Sequence, residues 1–166
     1  MARATACFSG DIMNDLPARK HIRLEHFDYS TAGAYFITIC VKDRKPLLSE
    51  IVGDDAHIVP KPYGLIVEKY IRNVPQIEKY VIMPDHIHMI IRLEDGSMWA
   101  STPTKSLPNK ISSIVRSIKV LTAKEIGQSI FQRSYYDHVI RNRQDYNEIC
   151  EYIENNPKKY LLKREG

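Results

Sequence analysis

Two histidines separated by one residue, His86-Ile87-His88 within VIMPDHIHMIIRL, sit in the middle of what otherwise reads as a buried strand. Strand side chains alternate between faces, so His86, His88, Ile90 and Arg92 point one way and Ile87, Met89, Ile91 and Leu93 the other. The second set is wholly apolar and belongs under helices. The first set is then expected on the free face of the sheet, where two imidazoles about 7 Å apart along the strand can converge on one cation. A His-x-His pair alone is equally compatible with hydrogen-bonded histidines that bind nothing. Further along, Tyr152 and Asn156 are four residues apart in a helical pattern and share a face at the border of its apolar stripe. A tyrosine at such a border commonly only packs. Together with the histidines, however, these residues form a chemically coherent set. The phenol oxygen can be a nucleophile, a cation can polarise a phosphoryl oxygen, and the amide oxygen can complete the cation's ligands.

The elements that must position these groups are legible in the hydrophobic pattern. AYFITICV, 34 to 41, is a β-branched and aromatic run typical of a central strand. Residues 47 to 63 carry Gly53, Asp54, Asp55, Pro60 and Pro62, which predicts a hairpin or an irregular excursion. Ile66, Val67, Tyr70, Ile71 and Val74 recur at helical spacing until Pro75. KYVIMP, 79 to 84, and HIHMIIRL, 86 to 93, read as two strands joined at Pro84-Asp85 or as one strand with a kink, central either way. Residues 94 to 109 read as a surface loop. A second helix places Ile111, Ile114, Val115, Ile118 and Leu121 on one stripe, and FQRSYYDHVI, 131 to 140, supplies a fourth strand. Tyr146, Ile149, Cys150 and Ile153 mark a final helix over 145 to 156, which Pro157 is expected to end.

The order strand, helix, strand, strand, helix, strand is that of an α+β, ferredoxin-like split βαβ fold. It predicts a four-stranded antiparallel sheet with helices on one face, plus an additional C-terminal helix carrying Tyr152. Residues 1 to 21 read as an N-terminal arm and 22 to 166 as a single domain.

With 43% apolar residues in a chain of 166, there is enough material for one hydrophobic core, which argues against a disordered tail protein. The 24 Lys and Arg against 20 Asp and Glu leave a net charge of +4, a bias that suits a polyanionic partner. Cys7, Cys40 and Cys150 are odd in number and lack C-x-x-C spacing, so neither a disulfide framework nor a thiolate zinc site is expected. A reducing, cytoplasmic setting follows as the expectation. No segment approaches the ~18 consecutive apolar residues of a membrane span.

The pairing of MPDHIHMII with the later FQRSYYDHVIRNRQDYNEICEYIENNPKKY resembles the REP-associated tyrosine transposases, relatives of the single-tyrosine HUH transposases of the smallest bacterial insertion sequences. The resemblance spans roughly residues 22 to 160, with several separated motifs in the same order. AYFITICVKDRKPLL, SLPNKISSIVRSIKVLTAKE and the Tyr-Ile-x-x-Asn-Pro run at 152 to 157 all contribute. It implies that His86 and His88 hold a divalent cation, Mg²⁺ or Mn²⁺, that Asn156 is a third ligand and that Tyr152 is the nucleophile. It further implies a metal-dependent single-strand endonuclease and transposase that cleaves and rejoins hairpin-associated DNA through a 5′ phosphotyrosine. The position usually held by Trp before Gln132 is Phe131 here, a conservative departure.

Arg116, Lys119, Lys124, Arg133, Arg141 and Arg143 are candidates for DNA backbone contact, and His138 either orients a phosphate or packs. One of Tyr135 and Tyr136 must point inward, leaving the other available to stack on a base. The competing reading is a non-catalytic nucleic-acid-binding module using the free sheet face, but that would call for surface aromatics on the central strands in place of the histidines. Whether the active unit is a monomer or a homodimer is open at this level.

Overall fold

The computed structural model describes residues 32–94 and 110–162; the expected arm at 1–21 lies outside these residues, as does all of the expected loop but Glu94. Six strands and three α-helices follow in chain order. They are β1 (Gly33–Cys40), β2 (Ser49–Val52), β3 (His57–Pro60), α1 (Pro62–Arg72), β4 (Ile77–Ile82), β5 (His86–Leu93), α2 (Lys110–Ile126), β6 (Tyr136–Ile140) and α3 (Arg143–Leu162). The main sheet is antiparallel with order β4-β5-β1-β6, as the split βαβ pattern requires. The Gly/Asp/Pro-rich excursion is a separate two-stranded sheet of β2 and β3.

Alternation divides β1 and β5 cleanly. Tyr35, Ile37, Ile39 and Val41 join Ile87, Met89, Ile91 and Leu93 in the larger core, beneath α1 (Val67, Ile71) and α2 (Ile111, Val115, Ile118). The opposite face carries a smaller apolar cluster of Ala34 and Ile90 with Ile149 and Ile153 of α3, flanked by Phe36, Val81, Ile140, Tyr146 and Cys150. The histidine face is therefore not open: α3 lies along it. The apolar stripe read at Tyr146, Ile149, Cys150 and Ile153 is what holds α3 there.

Several local expectations are revised. Helix α3 does not stop at Pro157 but continues to Leu162 with Pro157 inside it. An interior proline removes one backbone hydrogen bond and crowds the carbonyl four residues back, a cost of ~3 kcal/mol. Here Pro157 is itself buried, and the packing of Ile149 and Ile153 against Ala34 and Ile90 of the sheet holds the helix that runs through it. The continuation matters because it carries Lys159 and Tyr160 onto the same side as the histidines. In α2, Leu121 is exposed and Thr122 is buried in its place. The fourth strand is shorter than its apolar run, with Phe131 contributing only an isolated bridge to Val41. Among the described residues, no helix is long and apolar enough to cross a membrane.

Candidate active site

The turn between β4 and β5 is fixed by its backbone. Met83 N–H donates to the His86 carbonyl at 2.9 Å, Val41 N–H to Asp85 at 2.9 Å, and Leu48 N–H to Pro84 at 3.0 Å. Three successive carbonyls are thus satisfied from three directions, and His86 leaves the turn in a defined orientation. Pairing of β5 with β1 then sets Cys40 opposite His86 and Thr38 opposite His88.

The two imidazoles converge. Their Nε2 atoms are 3.0 Å apart and the ring centroids 4.6 Å apart. Each opposite nitrogen is engaged: His86 Nδ1 lies 2.6 Å from Asp85 Oδ1, and His88 Nδ1 lies 2.8 Å from Thr38 Oγ1. Arg44 Nη1 approaches the other Asp85 oxygen at 3.5 Å. Arg44 reaches it from a turn in which both Asp43 and Arg44 adopt positive φ, 55° and 53°. Phe36 stacks on His88, with centroids 5.2 Å apart and planes at 24°.

Burial governs the charge states. Desolvation of His88, aided by the nearby His86 and Arg44, lowers its pKa to about 3, so the ring is neutral at ordinary pH. Burial alone would raise the Asp85 carboxyl, but the His86 hydrogen bond and the charges of His86 and Arg44 hold it below its usual range. A neutral imidazole beside an imidazole whose far nitrogen faces a carboxylate is the arrangement by which proteins present ring nitrogens to a metal. Two nitrogens bound to one ion at ~2.0–2.1 Å and roughly a right angle would be ~3 Å apart, which the observed Nε2 separation matches. The donor set therefore fits a divalent cation. Among the described residues, no cluster of three or more His, Cys, Asp or Glu forms a metal site, so further ligands would have to be of another type.

Helix α3 brings that other type. Asn156 is buried, 6% exposed, and lines a cavity of about 320 Å³ with His86, His88, Tyr152, Lys159 and Tyr160. It sits inside the buried face of α3 and not at its border as the stripe suggested. Tyr152 does lie at the border, 40% exposed, its ring 5.3 Å from His88 and 6.0 Å from Phe36. Lys159 Nζ lies 5.3 Å from the Tyr152 ring centroid. Tyr160 stands 6.5 Å from His86.

The candidate DNA contacts divide by location. Arg116 and Lys124 are exposed on α2, which packs on the face of the sheet away from the histidines. Lys119 is partly buried, and its ammonium donates to the carbonyls of Gln132 (2.9 Å), Ser134 (3.0 Å) and Arg133 (3.4 Å). Burial lowers its pKa to about 8, and these acceptors favour the charged form. Its charge is committed to the chain. Arg133 is exposed. His138 projects on the α3 side, opposite Phe36, and lies 3.0 Å from both Asp145 oxygens. Arg141 and Arg143 are exposed near the start of α3. Of the tyrosine pair, Tyr135 is the inward member, its hydroxyl 2.8 Å from Ser112, while Tyr136 is half exposed on the histidine side opposite Thr38.

Sequence reading did not find Thr38, Phe36, Arg44, Asp85, Lys159 or Tyr160. Only Asp85 carried a usable signal, a carboxylate directly preceding a candidate ligand. The others are joined to the site by strand register or by the persistence of α3 beyond Pro157.

Residues 30–156 match the family described as Transposase IS200 like, and the chain belongs to that family. The resemblance carried by the separated motifs is thereby borne out, and with it the assignment as an enzyme of DNA transposition. A REP-associated tyrosine transposase of Escherichia coli is 26% identical over 137 residues, covering 80% of this chain and 70% of that one. An uncharacterized protein of Haemophilus influenzae is 34% identical over 160 residues, covering 84% and 88% of the two chains. A solved structure of a REP-associated tyrosine transposase bound to a REP hairpin superposes with a TM-score of 0.58 at 27% identity, covering 83% of this chain and 74% of that chain.

Proposed function

We propose that this chain is a metal-dependent single-strand endonuclease and transposase that cleaves and rejoins hairpin-associated DNA, with Tyr152 as nucleophile and His86, His88 and Asn156 as ligands of Mg²⁺ or Mn²⁺. The observation that carries the reading is the convergence of the two Nε2 atoms at 3.0 Å in a cavity that Tyr152 and Asn156 also line. The relative of known structure was bound to a REP hairpin, which supports the same class of substrate here.

The Tyr152 oxygen, losing its proton, forms a bond to phosphorus as the bond from phosphorus to the 3′ oxygen breaks. The product is a 5′ phosphotyrosine and a free 3′ hydroxyl once the leaving oxygen is protonated. Attack by another 3′ hydroxyl reverses the step and joins strands without a nucleotide cofactor. The bound cation would supply charge neutralisation at the non-bridging phosphoryl oxygens. Thr38 and Asp85 hold the two imidazoles with their Nε2 atoms forward. Lys159, beside the Tyr152 ring, adds positive charge where the phosphate must lie.

Incubation with oligonucleotide hairpins in Mn²⁺, followed by denaturing electrophoresis, tests the proposal. A protein–DNA adduct that survives denaturation is expected, and its absence with every hairpin from the DNA flanking the gene would count against it.

A further inference from the structure

A second cavity, of about 470 Å³, lies at the other end of α3 and is lined by Arg92, Arg141, Asn142, Arg143, Tyr146 and Asn147 over a floor of Gly33, Ala34 and Ile140. Among the described residues, three arginines and no carboxylate line it. Two of its walls are tied together by one carboxylate outside it: Glu78 accepts hydrogen bonds from the Arg92 guanidinium and from the Tyr146 hydroxyl, the latter at 3.2 Å. The Arg92 guanidinium in turn lies 5.7 Å from the Tyr146 ring centroid. Arg92 and Tyr146 are thus two planar groups held in place in the cavity wall, of the kind against which a base packs. Glu78 balances Arg92, and the Asp145 carboxylate, which accepts the Arg141 N–H at 3.2 Å and whose charged form Arg141 favours, balances part of Arg141, so the charge available to an anion is the remainder of Arg141 with the exposed Arg143.

The position of this cavity fits the strand that the first site would cut. Ala34 and Arg92 are paired across β1 and β5, as are Thr38 and His88, so the two cavities are four residues apart along both strands, ~13 Å. Along α3, Tyr146 and Tyr152 are six residues apart, ~9 Å. Both lie on the α3 side of the sheet. The volume suits a single small ligand.

We propose that this cavity binds one nucleotide of the same DNA strand, a few nucleotides from the phosphate held near Tyr152, with its base on the Arg92–Tyr146 surface and its phosphate on Arg141 and Arg143. The assignment rests on the function proposed above and adds a subsite that fixes where along the strand cleavage falls.

The test is fluorescence anisotropy with single-stranded oligonucleotides carrying the cleavage position and extended one nucleotide at a time on either side. The wild-type chain should gain roughly tenfold in affinity when one extension on one side reaches the cavity. The variant R141A/R143A should lose that gain, with a salt dependence shallower by about 0.7 per phosphate contact removed. Tyr146→Leu should lose the gain while keeping the salt dependence, which a general loss of positive charge would not produce. Affinity that rises smoothly on both sides, or a gain that survives in R141A/R143A, would overturn the subsite. Adduct formation by the wild-type chain on the same oligonucleotides reads the catalytic proposal separately. An adduct without the affinity step sinks only the subsite, and the step without an adduct sinks only the nuclease reading.

Discussion

Asp85 Oδ1 lies 2.6 Å from His86 Nδ1, on the side of the ring opposite the nitrogen that faces His88. A carboxylate in this position fixes the ring's tautomer and leaves Nε2 with a lone pair directed into the cavity. Replacing Asp85 by Ala should lower divalent-cation affinity by roughly 10–100-fold. Asp85→Asn, whose amide oxygen can still accept from Nδ1, should lose less. Titration calorimetry with Mn²⁺ checks both, and equal affinities for the wild type and Asp85→Ala would remove Asp85 from the site.

Burial gives His88 a structural role. With 5% exposure and a ring stacked on Phe36, it belongs to the packing between α3 and the sheet. His88→Ala should therefore destabilise the fold by about 1–3 kcal/mol, in the range for loss of a buried, hydrogen-bonded side chain. The more accessible His86 should cost less. Urea denaturation of both variants in chelator separates this from any effect of metal.

Lys119 illustrates a cation that serves the chain itself. Three carbonyls converge on its ammonium, and a shape-conserving Lys119→Met leaves them without that donor. The expected loss is about 1.5–3 kcal/mol of stability, the range for hydrogen bonds to a charged group. A variant as stable as the wild type would show that water replaces the ammonium freely.

At the start of α3, Asp145 accepts the Arg141 N–H at 3.2 Å and pairs with His138, while its own N–H donates to Asn142 Oδ1 at 2.9 Å. These contacts cap the helix that carries Tyr152. Burial opposes ionisation of Asp145, but the His138 hydrogen bond and the Arg141 N–H more than compensate and lower its pKa below 3.8. A depressed carboxyl stabilises the fold above its unfolded pKa and loses that contribution as pH falls through the folded value. Asp145→Asn should therefore lower the urea midpoint at pH 7, and the difference from the wild type should shrink below pH 3.8. A difference independent of pH would mean that the charge of Asp145 is not what matters.

Much of this arrangement could be read before the fold was known. Alternation in HIHMIIRL separated the histidines from the larger core, though not the covering of their face by α3, and the i, i+3, i+4, i+7 spacing at Tyr146 to Ile153 identified the helix that carries Tyr152. What could not be read depended on tertiary context. Thr38 faces His88 only through the β1–β5 register, and nothing in AYFITICV singles out its threonine. Pro157 ordinarily marks a helix end, yet here it is buried inside α3, which runs on through Tyr160. Lys119 had the spacing of a solvent-facing cation on α2, yet the 132–134 segment folds over it.

Asn156 has a more pointed test. It is buried and lines the cavity that His86 and His88 share, where it is proposed as the third ligand. Asn156→Ala should weaken Mn²⁺ binding while leaving Tyr152 able to form adduct at raised metal concentration. An unchanged metal-dependence curve would exclude Asn156 as a ligand.

Tyr152, among several tyrosines near the sheet face, is the residue proposed to attack DNA. Tyr160 lines the same cavity, Tyr136 is exposed on the same side, and Tyr146 shares the helix. Peptide mass spectrometry of the adduct trapped on a hairpin oligonucleotide distinguishes them in one experiment. The expected result is a phosphotyrosine-linked nucleotide on Tyr152 and no adduct from Tyr152→Phe, which should still bind the hairpin. A nucleotide linked to Tyr136, Tyr146 or Tyr160, or an undiminished adduct in Tyr152→Phe, would contradict it.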